Sequence, residues 1–294
     1  MMTVFYIVMG GDEAIRYYME AYLSIRTFQK QLSPDLGRIC VITDHPSFFR
    51  KAGVEVITIT AEQKADWMGP HKFFFRTKIK GMEYLHSLYP DDNLLYLDSD
   101  TFLYGDLAKL KERLDEGHGL MHLCEGKPTD ISHTAQRLSK KAIGKTYGDI
   151  TIGEQHQMWN AGVVGLPCNK ISETVACALT LCDGMLNDGN NEFITEQYSY
   201  SIALAEHTTL MATSDLIGHY WGNSMGWRDQ ALEIFTRAYL NDMSLEEELK
   251  ALDIDKLCET PYFVHRSSTA AKLHRLVDRL FKVREVKSVK NGRA

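Results

Sequence analysis

The chain predicts an α/β protein with a mainly parallel central sheet flanked by helices, and three observations carry that reading. Short β-branched or leucine-rich runs alternate with helical patterns through the first 124 residues or so. The run Asn93–Leu97 is apolar apart from its first residue, as befits a strand covered on both faces. That run stops at Asp98-Ser99-Asp100, which sets two carboxylates at the carboxyl end of a strand, where open α/β sheets bind their ligands.

The first strand is read over residues 4–9, closing on Gly10-Gly11, with Asp12 as N-cap of the first helix. Ala14, Tyr17, Ala21, Ile25 and Phe28 then recur at helical spacing. Residues 38–43 and 54–60 predict two further strands. Pro70-His71 opens a helical pattern with Phe75, Ile79, Met82 and Tyr89 near one face, and the turn cluster Pro90-Asp91-Asp92-Asn93 leads from it into the Asp98 strand. Residues 119–124 predict a short strand. Alternation of this kind implies a doubly wound sheet.

The second half is less regular. Residues 126–157 are polar and rich in Lys, Ser, Thr and Gly, which predicts an excursion from the core, a lid or acceptor-side flap. Residues 159–166 return to an apolar run with glycines inside it. A helix is expected over 171–186, then a second one carrying Glu196, Gln197, Tyr200 and Leu204. Residues 216–223 form a strand or turn dense in polar-tipped aromatics, and 229–258 predict helix that mostly faces solvent. The expected division is a core domain over 1–225 and a helical C-terminal extension over 226–294.

Bulk properties exclude some classes. A chain of 294 residues with 44% apolar residues suits one large domain with an appendage. The net charge of −6 argues against an electrostatic nucleic-acid binder. That charge is uneven: residues 271–294 hold eight Lys/Arg against two acids, a net +6, so the first 270 residues carry −12. The six cysteines form no Cys-x-x-Cys pair, against a zinc ribbon. The first residues lack a basic n-region, and no apolar stretch approaches the roughly 20 residues of a membrane span. The expectation is a cytoplasmic protein with reduced thiols.

Candidate chemistry gathers at the strand ends. Two hard oxygen donors at Asp98 and Asp100 can hold Mg²⁺ or Mn²⁺, and such a metal can neutralise a diphosphate. Gly10 lets a backbone approach a ligand, or simply makes a tight turn; the strand is not succeeded by a Gly-x-Gly-x-x-Gly. Asp44 can accept from a base or ribose, or close an Asx turn. Lys72, Arg76 and Lys80 stand at i, i+4, i+8 with Lys78 nearby, either a solvated helix face or a source of cations for diphosphate oxygens. Asn160, ahead of Ala161-Gly162, can bond a sugar hydroxyl or its own backbone. Glu196-Gln197 suits a helix start, or support of positive charge at an anomeric carbon. His219 and His265 are each a partnered core histidine or a third metal ligand.

Taken together, Thr77-Lys78-Ile79, Leu94–Leu97 with Asp98-Ser99-Asp100-Thr101, Trp159-Asn160-Ala161-Gly162-Val163 and Glu196-Gln197 resemble the GT-A fold glycosyltransferases. The resemblance is closest to the retaining glycogenin-like and lipopolysaccharide galactosyltransferase-like group, and spans residues 3–225 or thereabouts. It implies a GT-A-like, Rossmann-like fold and transfer from a nucleotide-diphosphate sugar, a UDP-sugar first, with retention. It implies Mn²⁺ (or Mg²⁺) on Asp98, Asp100 and His219. By the same resemblance Lys78 and Asp98 contact the donor, and Glu196, Gln197 and Asn160 stand at the reaction centre. Gly10, Asp44, Arg76 and Ser99 join the donor-contact candidates from their own places in the sequence. The implied partners are a nucleotide-sugar donor and a glycan or lipid-linked glycan acceptor. Two positions depart from the pattern. Glu196 stands where an Asp is usual, and His219-Tyr220-Trp221-Gly222-Asn223 replaces a histidine followed by Lys-Pro-Trp. A sugar nucleotidyltransferase and a non-catalytic nucleotide- or glycan-binding module are the rival readings. The former usually has a basic Gly-rich loop after its first strand, where Gly10-Gly11-Asp12-Glu13 is acidic.

The tail adds one more expectation. Leu273, Leu276, Val277, Leu280 and Phe281 recur at a helical period among Lys and Arg. A basic amphipathic helix over 271–294 can lie on an anionic membrane as a peripheral contact at the inner face, or dock on the acidic body.

Overall fold

The computed structural model describes residues 1–264 together with Leu273, Leu276, Val277, Leu280 and Phe281. Its strands in chain order are β1 (Met2–Val8), β2 (Gly37–Thr43), β3 (Glu55–Thr58), β4 (Asn93–Leu97), β5 (Thr101–Leu103), β6 (His118–Met121), β7 (Cys124–Gly126), β8 (Thr146–Tyr147), β9 (Ile150–Thr151), β10 (Met158–Trp159), β11 (Val163–Leu166), β12 (Thr209–Ala212) and β13 (Ile217–His219). The helices are α1 (Ile15–Gln29), α2 (Ala61–Met68), α3 (Arg76–Leu88), α4 (Leu107–Asp115), α5 (Pro128–Ile131), α6 (His133–Ala142), α7 (Ile171–Asn187), α8 (Thr195–His207), α9 (Ser224–Leu240), α10 (Leu245–Ala251) and α11 (Ile254–Cys258).

Seven strands pair in the order β12-β6-β11-β4-β1-β2-β3. Within that sheet β11 runs antiparallel to both of its neighbours, and every other pairing is parallel. The mainly parallel sheet expected from the alternation is therefore present. Strand β4 shows why its sequence is apolar after Asn93. Leu94 and Tyr96 point into one core cluster with Ile79 of α3 and Leu181 of α7. Leu95 and Leu97 point into the other, with Ile25 of α1 and Leu110 of α4. Each such leucine contributes about 1.5–3 kcal/mol by leaving water, so β4 is anchored from both faces. Its end is thus a rigid place to mount chemistry.

Some boundaries differ from the expectations. Helix α1 starts at Ile15, after a 3₁₀ turn over Gly11–Ala14, so Asp12 lies inside that turn and the N-cap position of α1 falls on Ala14. The apolar run 159–166 is broken after Trp159, because residues 160–162 leave the ladder before β11 begins. The polar excursion 126–157 holds two short helices and the hairpin β8–β9. The stretch expected to be helical over 229–258 falls in three separate helices and mostly faces solvent, as its pattern suggests, with a few residues turned inward. Trp227, Ala231, Leu252 and Leu257 are buried in a cluster with Leu23, Phe102 and Tyr220. The compact unit runs Met1–Tyr262, and Phe263–Ala294 forms a second one.

In that second unit Leu273, Leu276, Val277 and Leu280 are helical and exposed. The remaining residues of the expected basic helix over 271–294, and His265, lie outside the described residues. Among the described residues no helix is long and apolar enough to cross a membrane.

Candidate active site

Three backbone devices assemble the site at the carboxyl end of β4. Strand β1 runs parallel to β4 and ends beside it. On the other side, residues 160–162 enter β11, and the Asp98 N–H donates to the Gly162 carbonyl at 2.8 Å. The chain then turns back after Asp100 into β5, which pairs antiparallel with β13 and sets His219 opposite Thr101. The Tyr220 N–H donates to the Asp100 carbonyl at 3.0 Å. A short ladder thus carries a histidine from far along the chain to the acidic turn.

The result is a group of three. One ligand atom from each of Asp98, Asp100 and His219 lies within 4.8 Å of the others. His219 Nε2 is 3.2 Å from Asp100 Oδ1. Burial alone would lower the His219 pKa, but the charge and hydrogen bond of Asp100 outweigh it and the net shift is upward. Burial likewise opposes ionisation of Asp100, yet His219 holds that carboxyl below its ordinary range. Gly162 makes the approach possible: a Cβ there would sit 2.2 Å from His219 Cε1. Two carboxylates and one imidazole are a donor set that suits Mn²⁺ or Mg²⁺.

Asp98 is gripped from its other side. Lys78, in the first turn of α3, places Nζ 2.8 Å from Asp98 Oδ1 and 3.1 Å from Oδ2. The Tyr96 hydroxyl donates to Oδ1. Lys78 Nζ also lies 3.8 Å from Glu196 Oε2. Burial would strip the proton from this lysine, but Asp98 and Glu196 together hold its pKa above the ordinary value. Glu196 itself is 1% exposed. Burial pushes its pKa up to about 7, with Lys78 pulling the other way. Among the described residues its Oε1 has no hydrogen-bond partner. A buried carboxylate oxygen without a donor is costly, and a ligand hydroxyl would satisfy it.

A cleft of about 300 Å³ opens onto Lys78 and Asp98, lined also by Ile7, Met9, Tyr17 and Phe74, with Ser99 and Asp100 at its acidic end. Gly10 and Asp44 close the ends of the adjacent strands β1 and β2. The Gly10 N–H donates to both Asp44 oxygens at 3.1 Å, and Gly10 takes a φ of +135°. Asp44 also accepts from Tyr18 at 3.1 Å and from Lys64 at 2.8 Å. Burial works against its charge, but Lys64 and the Gly10 N–H lower its pKa on balance. Arg76 is engaged elsewhere. Its fork grips Asp183 of α7 at 2.7 and 3.0 Å and donates to the Trp67 carbonyl at 2.9 Å.

Asn160 and Gln197 meet through a residue that sequence reasoning missed. Glu125, in β7, accepts from Asn160 Nδ2 at 3.1 Å and from Gln197 Nε2 at 2.9 Å. Glu125 sits at the join between an expected strand and an expected polar excursion, where an acid is unremarkable. An acidic residue just past a strand end was the available signal. His122 is a second residue that the sequence did not single out. It lies edge-on to His219 at 5.3 Å, and burial, with His219 beside it, pulls its pKa down to about 4.

Among solved structures, the chain is similar to mouse xyloside xylosyltransferase 1, with 11% identity, 72% of this chain and 84% of that one covered, and a TM-score of 0.46. It is also similar to galactosyltransferase LgtC in complex with donor and acceptor sugar analogs, with 13% identity, both chains covered at 100%, and a TM-score of 0.47. Both are sugar transferases, and at these identities the likeness is one of fold. No family model matches the chain, and no curated protein matches it.

Proposed function

We propose that the protein is a metal-dependent glycosyltransferase that moves a sugar from a nucleotide-diphosphate sugar to a glycan acceptor. A UDP-sugar is the first donor to try, and retention of configuration is the expected outcome. The observation that supports this best is the convergence of His219 on Asp98 and Asp100, which line a cleft together with Lys78, with a buried, half-satisfied Glu196 beside that lysine.

Asp98, Asp100 and His219 would hold Mn²⁺ or Mg²⁺, which supplies Lewis-acid stabilisation of the leaving diphosphate. The chain's own residues do the rest. Lys78 is kept charged and immobile by Asp98 and Glu196, so its ammonium is a pre-oriented cation for developing negative charge. Glu196 offers Oε1 to a sugar hydroxyl and places its charge where an oxocarbenium-like centre would form. Asn160 and Gln197 each keep one amide N–H beyond the one given to Glu125, enough to orient a sugar. The apolar wall of Ile7, Met9, Tyr17 and Phe74 suits a base and excludes water. Arg76 receives no role in this scheme, since Asp183 already occupies it.

The test is thermal unfolding with UDP-, GDP- and CMP-sugars, each with and without Mn²⁺. Stabilisation by one nucleotide class that requires the metal is the expected result. Equal stabilisation with and without metal would remove the metal from the proposal, and none at all would remove the donor.

A further inference from the structure

The cleft at Asp98 accommodates a nucleotide-sugar in the reading above, and the acceptor is left without a place. A second cleft, of about 330 Å³, supplies one. It is lined in part by His219, yet it shares no lining residue with the cleft at Asp98. Phe102, Tyr104 and Tyr262 bring rings to its wall, and His122, Ser214 and Thr260 bring polar groups.

This second cleft is tied to the site by the backbone. Phe102 of β5 stands opposite Gly218 of β13, one step along the ladder from the pair Thr101 and His219. A Cβ at Gly218 would sit 2.1 Å from Phe102 Cε1, so the glycine leaves room for that ring. Trp227 packs on Phe102 with ring centroids 4.4 Å apart. Elsewhere on the wall, His122 and Leu123 are bonded to Asn160. The His122 N–H donates to the Asn160 carbonyl at 3.1 Å, and the Asn160 N–H donates to the Leu123 carbonyl at 2.9 Å.

The chemistry of the lining selects a ligand. Among the described residues no Lys, Arg, Asp or Glu lines this cleft, so it offers no partner to a phosphate or a charged peptide side chain. Tyr104 is 40% exposed and Tyr262 66%, so both rings are open to a ligand. The Tyr104 hydroxyl donates to the Ser214 carbonyl at 2.6 Å and keeps its capacity to accept. The hydroxyls of Ser214 and Thr260 can both donate and accept. His122 is buried, and among the described residues its Nδ1 has no partner. Such an orphan atom is costly, so a hydroxyl or a water brought to it is favoured. Aromatic rings for the C–H face of a pyranose, with neutral polar groups for its hydroxyls, are what an uncharged sugar needs.

We propose that the cleft walled by Phe102, Tyr104, Ser214 and Tyr262 is a saccharide subsite, which holds a neutral sugar unit of the acceptor while the nucleotide-sugar occupies the cleft at Asp98. The acceptor role rests on the transferase reading above. Binding of a sugar there does not, since it needs neither nucleotide nor metal. Tyr104 and Tyr262 are the residues that set which sugar is held, because they present the most open ring surface.

The experiment is saturation-transfer difference NMR on the full-length protein, titrated with lactose, maltose, cellobiose and N,N′-diacetylchitobiose in the absence of metal and nucleotide. At least one disaccharide is expected to bind. Tyr262→Ala and Tyr104→Ala are each expected to weaken that binding about 10-fold. Tyr262→Phe, which keeps the ring, is expected to stay within about twofold of wild type. Thermal stabilisation by nucleotide-sugar and Mn²⁺ is expected to be the same in all three variants as in wild type, which also shows that they fold. Binding unchanged in both alanine variants would put the sugar elsewhere and overturn the proposal, as would no binding of any of the four disaccharides. Metal-dependent stabilisation by a nucleotide-sugar without disaccharide binding would end the subsite and leave the transferase reading intact. Disaccharide binding that Tyr262→Ala weakens, in a protein that answers to no nucleotide-sugar, would keep the subsite and end the transferase reading.

Discussion

The two sides of the site are held by opposite physics. On one side Lys78, Asp98 and Glu196 form a largely buried cluster of charges: one cation serves two acids, and among the described residues Glu196 Oε1 has no partner. On the other, His219, Asn160, Gln197 and Glu125 form a relay in which each Glu125 oxygen and each amide oxygen meets a donor. The first side is under-compensated and gains when positive charge or a hydroxyl arrives. The second is satisfied in advance and mainly preserves direction. Catalysis by electrostatic preorganisation needs both, a place where charge is wanted and a frame that does not reorganise when it comes.

Substitutions can pull these sides apart. The largest effect on stability is expected at the charged side. Lys78→Met leaves the half-buried Asp98 and the buried Glu196 without the lysine between them, at a cost of about 3–5 kcal/mol. Chemical denaturation should show that loss, and Mn²⁺ should restore more stability to the variant than it adds to the wild type. A variant as stable as the wild type without metal would mean that the cluster is not under-compensated.

A smaller effect, with a definite sign in pH, is expected at Glu196. Its pKa is raised to about 7 from 4.5 by burial, so the folded protein holds a proton that the unfolded chain has already lost. The stability this gives is complete below about pH 4.5. It falls away as the pH rises through 7, where the folded protein must ionise the group. Glu196→Gln removes that dependence. Relative to wild type, the variant should gain stability between pH 4.5 and 7 and then level off, by an amount on the order of 3 kcal/mol. Parallel stability curves for the two proteins across that window would contradict the burial argument. The same variant should bind the donor more weakly, since the orphan oxygen is the one offered to the sugar.

The contrast also explains what the amino-acid sequence revealed and what it hid. The sheet was legible because strands such as Asn93–Leu97 are buried on both faces and advertise it with continuous apolar residues. Asp98 and Asp100 were legible because they interrupt that run. His219 and His265 stood out from nine other histidines because each sits in an apolar-aromatic run, and β13 pairing with β5 turns the His219 segment toward Asp100. The relay side was harder to see. Glu125 depends on the pairing of β7 with β10, elements too short to leave a pattern. The charge row on α3 was ambiguous for a different reason. Lys78 and Arg76 are two residues apart, yet Arg76 finds Asp183 on α7, a partner that nothing local announces.

The central claim is that Asp98, Asp100 and His219 act on a nucleotide-diphosphate sugar through a metal. The most direct measurement is hydrolysis of the stabilising nucleotide-sugar by wild type and Asp100→Asn, with Mn²⁺ and with chelator. The account predicts turnover by the wild type only with Mn²⁺, and a loss of about 100-fold or more in a variant that still unfolds cooperatively near the wild-type temperature. Undiminished turnover by Asp100→Asn, or turnover indifferent to chelator, would contradict it.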